Sequence, residues 1–335
     1  MKIGIAGGSG YTGAELLRLC SGHPDMDVAW ASGDSQAGIA VADLYPSLAA
    51  AYPRLRFSEL EPANADGLDL LFLALPHGAS QTLVPELAQR VGAIIDLSSD
   101  FRLRDPGAYP IWYGAEHSAP DLLARAVYGL PELTRDQLPG AGLVAAAGCY
   151  VTAAALALAP LVRAGAIEGT GVIVDGASGV SGAGRKVSHA TQFATVDGDF
   201  AAYSLLNHRH TPELEQVIGA EILFTPHLVP MTRGILVTCY ARPVPGAPDP
   251  LEVLAEAWRG EPFVVVDERC PSTKATLGSN CAHLTARMDP RTGWVVSLCA
   301  LDNLVKGASG QAVQCANLVL GLPEATGLPT VGLNP

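Results

Sequence analysis

The sequence has few aromatic and few charged residues for its length. Only 6% of its 335 residues are aromatic and 16% are charged, whereas 49% are hydrophobic and 36 are glycine. This composition is unlike that of a disordered or fibrous chain and is typical of a globular α/β protein with tight turns. The length predicts about two domains.

Positive charge is scarce as well. The chain has 21 Lys and Arg against 33 Asp and Glu, which gives a formal net charge of -12. This excess of negative charge argues against nucleic acid as a partner and against binding to an anionic membrane surface. A small anionic substrate would therefore have to be bound by a local cluster of Arg and Lys.

The seven cysteines form no CxxC pair and show no metal-ligand spacing, so we predict no metal site. Several of them lie in apolar, strand-like runs, as reduced cysteines do in a reducing compartment. Met1 leads directly into an apolar strand, unlike a signal peptide. The most apolar stretch, residues 151–164, contains Pro160 and Arg163 and is too short to span a bilayer. We expect a cytoplasmic protein.

A glycine motif near the N-terminus predicts a dinucleotide site. The residues Gly8-Ser9-Gly10-Tyr11-Thr12-Gly13 fit the pattern G-x-G-x-x-G, between an apolar strand (residues 2–6) and an amphipathic helix. In this setting the glycines let the backbone turn sharply and approach a pyrophosphate at the helix N-terminus. We therefore expect a nicotinamide dinucleotide to bind at Gly8, Ser9, Gly10, Tyr11, Thr12 and Gly13.

The order of apolar segments predicts an α/β fold with two domains. Short strands at 28–32, 69–74, 93–97 and 142–145, together with a helix at 80–91, indicate a doubly wound parallel sheet of Rossmann type. Longer β-rich runs at 171–177, 234–242, 283–288 and 293–301 indicate a second, α+β domain with a mixed or antiparallel sheet. A final helix near 309–320 is expected to return to the first domain. We assign residues 1–148 with about 307–335 to the dinucleotide-binding domain, and 149–306 to a catalytic and oligomerisation domain.

Cys149 is the strongest candidate for a catalytic residue. It precedes an Ala/Leu-rich helix expected over residues 151–165, and a thiol at a helix N-terminus is favoured as the thiolate. A thiolate can attack an activated acyl group and hold it as a thioester for a hydride donor. His208 and His210, just before the helix start Thr211-Pro212-Glu213, are the best candidates for its acid/base partner. The residues alone leave the choice between the two histidines open.

Three stretches could bind an anion. Residues 178–186 are small and flexible and end in Arg185 and Lys186, so their N–H groups could wrap a phosphate or a nicotinamide. An ordinary glycine-rich loop is the alternative. Arg102 and Arg233 are further candidates, although such arginines are more often salt-bridged at the surface.

Together these motifs resemble the N-acetyl-gamma-glutamyl-phosphate reductase family, which is related to aspartate-semialdehyde dehydrogenase. The resemblance runs nearly end to end. It is carried by ordered blocks at residues 7–15, 75–78, 96–102, 128–133, 148–150, 178–185, 208–213, 227–234, 302–307 and 310–314.

The resemblance implies a specific reaction, the NADPH-dependent reduction of N-acetyl-L-glutamyl 5-phosphate to the 5-semialdehyde in arginine biosynthesis, with release of phosphate. It implies that Cys149 is the nucleophile and His210 the acid/base, with Glu213 orienting it and His208 in reserve. It implies a homodimer or homotetramer joined through strands of the second domain. The remaining expected contacts are Arg102, Arg185 and Ser178 for the substrate phosphate, and Ser32, Ser35, Pro76, Gly182 and Asn303 for the cofactor.

Two departures from the family pattern are informative. The family usually reads Asn-Pro-Gly-Cys-Tyr-Pro, whereas this chain reads Ala146-Ala147-Gly148-Cys149-Tyr150-Val151. The family often has a Ser-Arg pair after the second strand that can bind the 2′-phosphate of NADP, whereas this chain has Ser32-Gly33 followed by Asp34. An acid there favours the ribose hydroxyl of NAD. Because Ser32, Ser35 and Gln36 can still bind a phosphate, we predict NADP, with NAD as the alternative.

Two other functions fit the same residues. One is a reductase for N-acetyl- or carrier-linked aminoadipyl phosphate in lysine biosynthesis, which would differ in the length of the substrate pocket. The other is a dinucleotide-sensing protein without catalysis. A sensor would account for the altered flank of Cys149 but would leave the block at residues 208–213 without a purpose.

Overall fold

The computed structural model describes residues 1–334, which divide into two compact units. The first unit contains Met1–Ala147 and Ala308–Leu328, and the second contains Gly148–Gly307 and the residues from Pro329 onward. The sequence-based division counted residues 329–334 with the first domain. In the structure the Asn280 amide donates to the Pro329 carbonyl, and the Leu333 amide donates to the Leu277 carbonyl, which places this end with the second unit.

The first unit is built on a six-stranded sheet in which every pair of neighbours is parallel. Its elements are β1 (Lys2–Ala6), α1 (Tyr11–Ser21), β2 (Asp27–Ala31), β3 (Leu70–Leu73), α2 (Ser80–Leu87), β4 (Ala93–Asp96), β5 (Val127–Gly129) and β6 (Leu143–Ala146). The strand order is β2-β1-β3-β4-β6-β5. Short strands such as β3 are buried along their whole length, as a sheet covered on both faces requires. The predicted Rossmann-type sheet is confirmed.

The second unit is built on a seven-stranded mixed sheet. Its elements are α3 (Cys149–Arg163), β7 (Val172–Gly179), β8 (Ala201–Ala202), α4 (Thr211–Ile218), β9 (Ile222–Val229), β10 (Ile235–Ala241), α5 (Pro250–Ala257), β11 (Val264–Val266), β12 (Ala282–Met288) and β13 (Val295–Leu301). The strand order is β11-β12-β13-β10-β7-β9-β8. Strands β7 and β9 are parallel, as are β11 and β12, whereas the other neighbours are antiparallel. The predicted second α+β domain with a mixed sheet is confirmed.

Helix α3 covers one face of the second sheet. Its residues Tyr150–Leu161 are all buried, and many of them are alanines, so the helix backbone lies close to the strands. The Ser297 hydroxyl of β13 donates to the Ala157 carbonyl, and the Trp258 indole donates to the Leu156 carbonyl. Burial alternates along β7 and β10, which leaves the opposite face of the sheet partly exposed.

The last helix, α6 (Gly310–Val319), packs within the first unit against β4, β6 and α1, so its predicted return to the first domain is confirmed. A π-helical turn, Val305–Ser309, precedes it. No helix in residues 1–334 is long and apolar enough to cross a membrane. Short helices of four to six residues occur at Val41–Leu44, Ala108–Tyr113, Pro120–Leu123, Pro131–Thr134, Phe193–Val196 and Thr273–Thr276.

Candidate active site

Cys149 is the first residue of α3, and its thiol is half-buried. The Gly148 amide, one residue earlier, donates to the Glu213 carboxylate at 2.9 Å, and the Gly148 carbonyl accepts from the Thr152 amide at 2.8 Å. Glu213 is fully buried in the first turn of α4. Two elements therefore hold the main chain beside the thiol, and the helix N-terminus favours the thiolate.

Gly307 packs directly against Cys149. A Cβ placed on Gly307 would lie 2.8 Å from the Cys149 Cβ and 3.3 Å from its Cα, so only glycine allows the two backbones to approach in this way. The adjacent turn is held by buried Asp302, whose carboxylate accepts from the amides of Gly278, Leu304 and Val305. Gly307 belongs to the family block at residues 302–307, but it had no predicted role.

His208 and His210 lie together beside Tyr150, the residue after Cys149. The two imidazole centroids are 4.8 Å apart, and the His210 amide donates to Nδ1 of His208 at 3.1 Å. Aromatic rings of Tyr150, Tyr203 and Phe224 surround His208 at centroid distances of 5.9, 5.5 and 5.2 Å. This apolar enclosure, together with the charge of Arg209, lowers the pKa of His208 to about 4, so His208 is neutral near pH 7.

Tyr150 connects this aromatic group to the sheet. Its hydroxyl donates to the His227 carbonyl at 3.0 Å and accepts from the Tyr203 hydroxyl at 3.4 Å. The ring needs the space left by Gly176, where a Cβ would lie 2.6 Å from it. Burial raises the pKa of Tyr203 to about 12, so both tyrosines are protonated. Tyr203 and Phe224 lie in no motif that the sequence offered, and only the structure reveals their place around His208.

Ser178, Gly182 and Asn303 come together in the second unit. A Cβ on Gly182 would lie 3.0 Å from the Ser178 hydroxyl and 3.7 Å from Nδ2 of Asn303. The Asn303 amide is held on both sides, because its Oδ1 accepts from the Gly234 amide at 2.7 Å and its Nδ2 donates to Ser181 at 2.9 Å. Arg185 follows on an exposed stretch. Arg233 lies 3.6 Å from buried Asp302, so it takes part in an ion pair.

Arg102 belongs to the first unit and is buried. Its Nε donates to the Ala146 carbonyl at 2.8 Å, and its Nη2 donates to the Leu97 carbonyl at 2.9 Å. The Ala147 amide in turn donates to the Gly129 carbonyl. These bonds fix the main chain that runs up to Gly148 without using a side chain of the Ala146-Ala147 pair.

The glycine loop between β1 and α1 has the geometry of a dinucleotide cradle. A Cβ on Gly13 would lie 2.3 Å from the Gly7 carbonyl oxygen and 2.5 Å from the Gly8 Cα, so the helix starts directly against the turn. Gly7 has φ +82° and lies against the Ala74 carbonyl at the end of β3. The loop and the segment containing Pro76 thus follow neighbouring parallel strands, at the edge where such sheets bind nucleotides.

The hydroxyls of Ser9 and Ser32 both form hydrogen bonds with the main chain of this loop. The Ser9 hydroxyl donates to the Gly33 carbonyl at 2.9 Å, and the Ser32 hydroxyl accepts from the Gly7 amide at 3.0 Å. Ser32 is buried, whereas Asp34 and Ser35 are exposed and Asp34 has φ +47°. Tyr11 and Pro76 are exposed, and Ser9, Gly10 and Thr12 are half-buried.

A second polar group in the first unit had no predicted role. Asp100 is fully buried, and its carboxylate lies 2.6 Å from Nδ1 of His77 while accepting from the amides of Gly78 and Gln81. Burial raises the pKa of Asp100. The hydrogen bonds from His77, Gly78 and Gln81 lower this pKa by more than burial raises it, so the pKa of Asp100 lies below its usual range. The pair therefore fixes the segment Pro76-His77-Gly78 at the end of β3.

Comparisons with known proteins agree with both units. Residues 2–141 match the family model described as semialdehyde dehydrogenase, NAD binding domain, and residues 149–303 match the one described as semialdehyde dehydrogenase, dimerisation domain. The solved structure of aspartate semialdehyde dehydrogenase II from Vibrio cholerae, complexed with ASA, superposes with a TM-score of 0.71 at 15% identity and covers 96% of this chain and 98% of its own. The Candida albicans enzyme with NADP gives 0.67 at 14% identity, covering 95% and 98%.

The fold and the two matched domains define an oxidoreductase of the semialdehyde dehydrogenase class. Two curated relatives named N-acetyl-gamma-glutamyl-phosphate reductase narrow this class. The Desulforudis audaxviator protein is 48% identical over 346 residues, covering 100% of both chains, and the Symbiobacterium thermophilum protein is 46% identical over 343 residues, covering 99% of this chain and 98% of its own. The chain belongs to the N-acetyl-gamma-glutamyl-phosphate reductase family, which confirms the resemblance seen in the sequence.

Proposed function

We propose that the protein reduces N-acetyl-L-glutamyl 5-phosphate to N-acetyl-L-glutamate 5-semialdehyde with NADPH, releasing phosphate, in arginine biosynthesis. The observation that carries the proposal is Cys149 at the start of α3, with Glu213 holding the amide in front of it and His208 and His210 in the same unit. The glycine loop of the first unit would hold NADPH, which supplies the hydride when bound.

Cys149 acts as the nucleophile in this proposal. Its thiolate attacks the acyl carbon, the bond between that carbon and the phosphate oxygen breaks, and phosphate leaves while the acyl group stays on Sγ as a thioester. Arg102 and Arg185, with the Ser178 hydroxyl, are the proposed phosphate contacts. The two carbonyl contacts of Arg102 orient its guanidinium, which supports this role.

His210 is the proposed acid/base and His208 the residue that positions it. The neutral, enclosed His208 accepts the His210 amide on Nδ1, which fixes the start of α4. After reduction of the thioester carbon, His210 gives its proton to the oxygen of the thiohemiacetal. It takes the proton back when the carbon–sulfur bond breaks, so the aldehyde leaves and the Cys149 thiolate is restored.

We also propose that the protein is a homodimer or homotetramer whose subunits pack through the open face of the second sheet. Ile173, Leu223, Tyr240 and Val296 lie side by side on the face that α3 leaves uncovered, and Leu223 is 49% exposed. Light scattering coupled to size exclusion tests this proposal. The wild-type chain should run as a dimer or larger assembly, and Leu223→Asp should shift it towards monomer.

The reverse reaction tests the proposed activity. Purified protein should reduce NADP with N-acetylglutamate semialdehyde only when phosphate is present. Cys149→Ser should lower the rate by at least about 10³-fold, and His210→Gln by about 10²- to 10⁴-fold. Cys270→Ser is the matched control, because Cys270 is the exposed cysteine.

The same assay separates the competing functions. Faster turnover of the aminoadipate semialdehyde would assign the longer substrate instead. A wild-type protein that binds the dinucleotide but turns over neither aldehyde would be a sensor. A Cys149→Ser variant with the wild-type rate would exclude the thioester.

A further inference from the structure

The loop after β2 is where a dinucleotide-binding sheet distinguishes the ribose hydroxyl of NAD from the 2′-phosphate of NADP. In this chain Gly33, which is buried at the start of that loop, leaves no room for a basic side chain. A Cβ on Gly33 would lie 2.6 Å from the Cβ of Phe57 and 2.8 Å from its Cγ, and Phe57 is buried. Phe57 therefore fills the space that a side chain at position 33 would need.

Arg56, the residue before Phe57, brings a guanidinium to the same loop. The segment that carries it pairs with the loop through main-chain bonds, since the Gly38 amide donates to the Phe57 carbonyl at 2.7 Å and the Phe57 amide donates to the Ile39 carbonyl at 2.9 Å. Nη1 of Arg56 donates to the Gly38 carbonyl at 2.8 Å. Its side chain is exposed, and among residues 1–334 it makes no ion pair with an acid.

We propose that Arg56 binds the 2′-phosphate of NADP and sets the cofactor preference of this chain. The proposal rests on the proposed use of NADPH. An arginine near this loop is the residue type that accommodates a 2′-phosphate, because its planar donors match phosphate oxygens. The bond to Gly38 aligns one edge of the guanidinium with the loop, on which Ser35 adds an exposed hydroxyl. Asp34 is the opposing charge, because its exposed carboxylate repels a phosphate, and Arg56 offsets this repulsion.

Binding of two adenosine nucleotides tests Arg56 without any turnover. The probes are 2′,5′-ADP, which carries the 2′-phosphate, and 5′-AMP, which lacks it, titrated into the full chain by calorimetry. The wild-type protein should bind 2′,5′-ADP more tightly. Arg56→Gln should weaken 2′,5′-ADP by roughly 10- to 100-fold and leave 5′-AMP unchanged. Arg54→Gln, which removes another exposed arginine two residues away, is the matched control and should change neither.

Each outcome decides the proposal. Arg56→Gln with wild-type affinity for 2′,5′-ADP, or with equal losses for both nucleotides, overturns it, and so does a wild-type protein that binds the two equally. Asp34→Asn should strengthen 2′,5′-ADP binding, and a weakening would also count against the assignment. The reductase assay is independent of these titrations. A selective loss in Arg56→Gln without reductase activity in the wild type would reject the proposed substrate and retain the Arg56 assignment.

Discussion

Replacing Gly307 by alanine tests whether the close packing of Gly307 against Cys149 is needed for catalysis. The added methyl would lie 2.8 Å from the Cys149 Cβ, whereas ordinary contacts of this kind begin at 3.4 Å. One of the two atoms must therefore move by about 0.6 Å, and neither is at the end of a flexible side chain. Overpacking of this kind costs about 1–3 kcal/mol of stability. A displacement of order 1 Å at a reacting atom can lower a rate by about 100-fold.

We expect Gly307→Ala to lower kcat of the reverse reaction by about 10- to 100-fold. Alkylation of Cys149 by iodoacetamide, followed in a Cys270→Ser background, gives a second readout that needs no substrate, because the other five cysteines are buried. Gly169→Ala is the matched control in the same unit, since a Cβ there meets its nearest neighbour only at 4.0 Å. A Gly307→Ala protein with wild-type turnover and alkylation rate would refute the reasoning.

Two further predictions concern the first unit. Gly13→Ala should lower both the melting temperature and the affinity for the dinucleotide, because its Cβ would lie 2.3 Å from a carbonyl oxygen. Gly10→Ala should lower only the affinity, because its Cβ would meet its nearest neighbour at 3.5 Å. Equal melting temperatures for the two variants would contradict this prediction. Asp100→Asn should lower the free energy of unfolding at pH 7 by about 1–3 kcal/mol. Because the folded pKa of Asp100 is depressed, its stabilisation is present above the unfolded value near 3.9 and is lost as pH falls through the folded pKa. Urea unfolding between pH 3 and 7 should therefore show a shallower acid limb in the variant.

The first unit could be predicted from the sequence because its signals are local. Each buried strand is a short apolar run, and the glycine pattern lies directly between a strand and a helix. Periodicity and spacing were therefore sufficient to predict the sheet and the dinucleotide loop. Val127–Gly129 was missed because three residues give no periodicity. In the second unit, β9 was missed although it has eight residues, because Pro226 and His227 interrupt its apolar pattern.

The site was less predictable because its contacts join residues far apart in the chain. Cys149, His208, His210 and Glu213 could be selected as motif residues, yet nothing in the sequence indicated that Glu213 accepts the Gly148 amide. Gly307 is separated from Cys149 by more than 150 residues, and only the close packing of two backbones reveals why glycine is needed there.

The altered flank of Cys149 shows how these two kinds of information combine. The sequence lacks the asparagine and the two prolines that the family usually places around the nucleophile, and with them one polar side chain and two rigid residues. In the structure the Ala146 carbonyl accepts from Arg102, the Ala147 amide donates to Gly129, and the Gly148 amide donates to Glu213. All three bonds use main-chain atoms of the flank, so the identity of its side chains is not what holds it. The turn is therefore supported by hydrogen bonds of its own backbone rather than by local amide or proline side chains, and Cys149 lies at the start of α3.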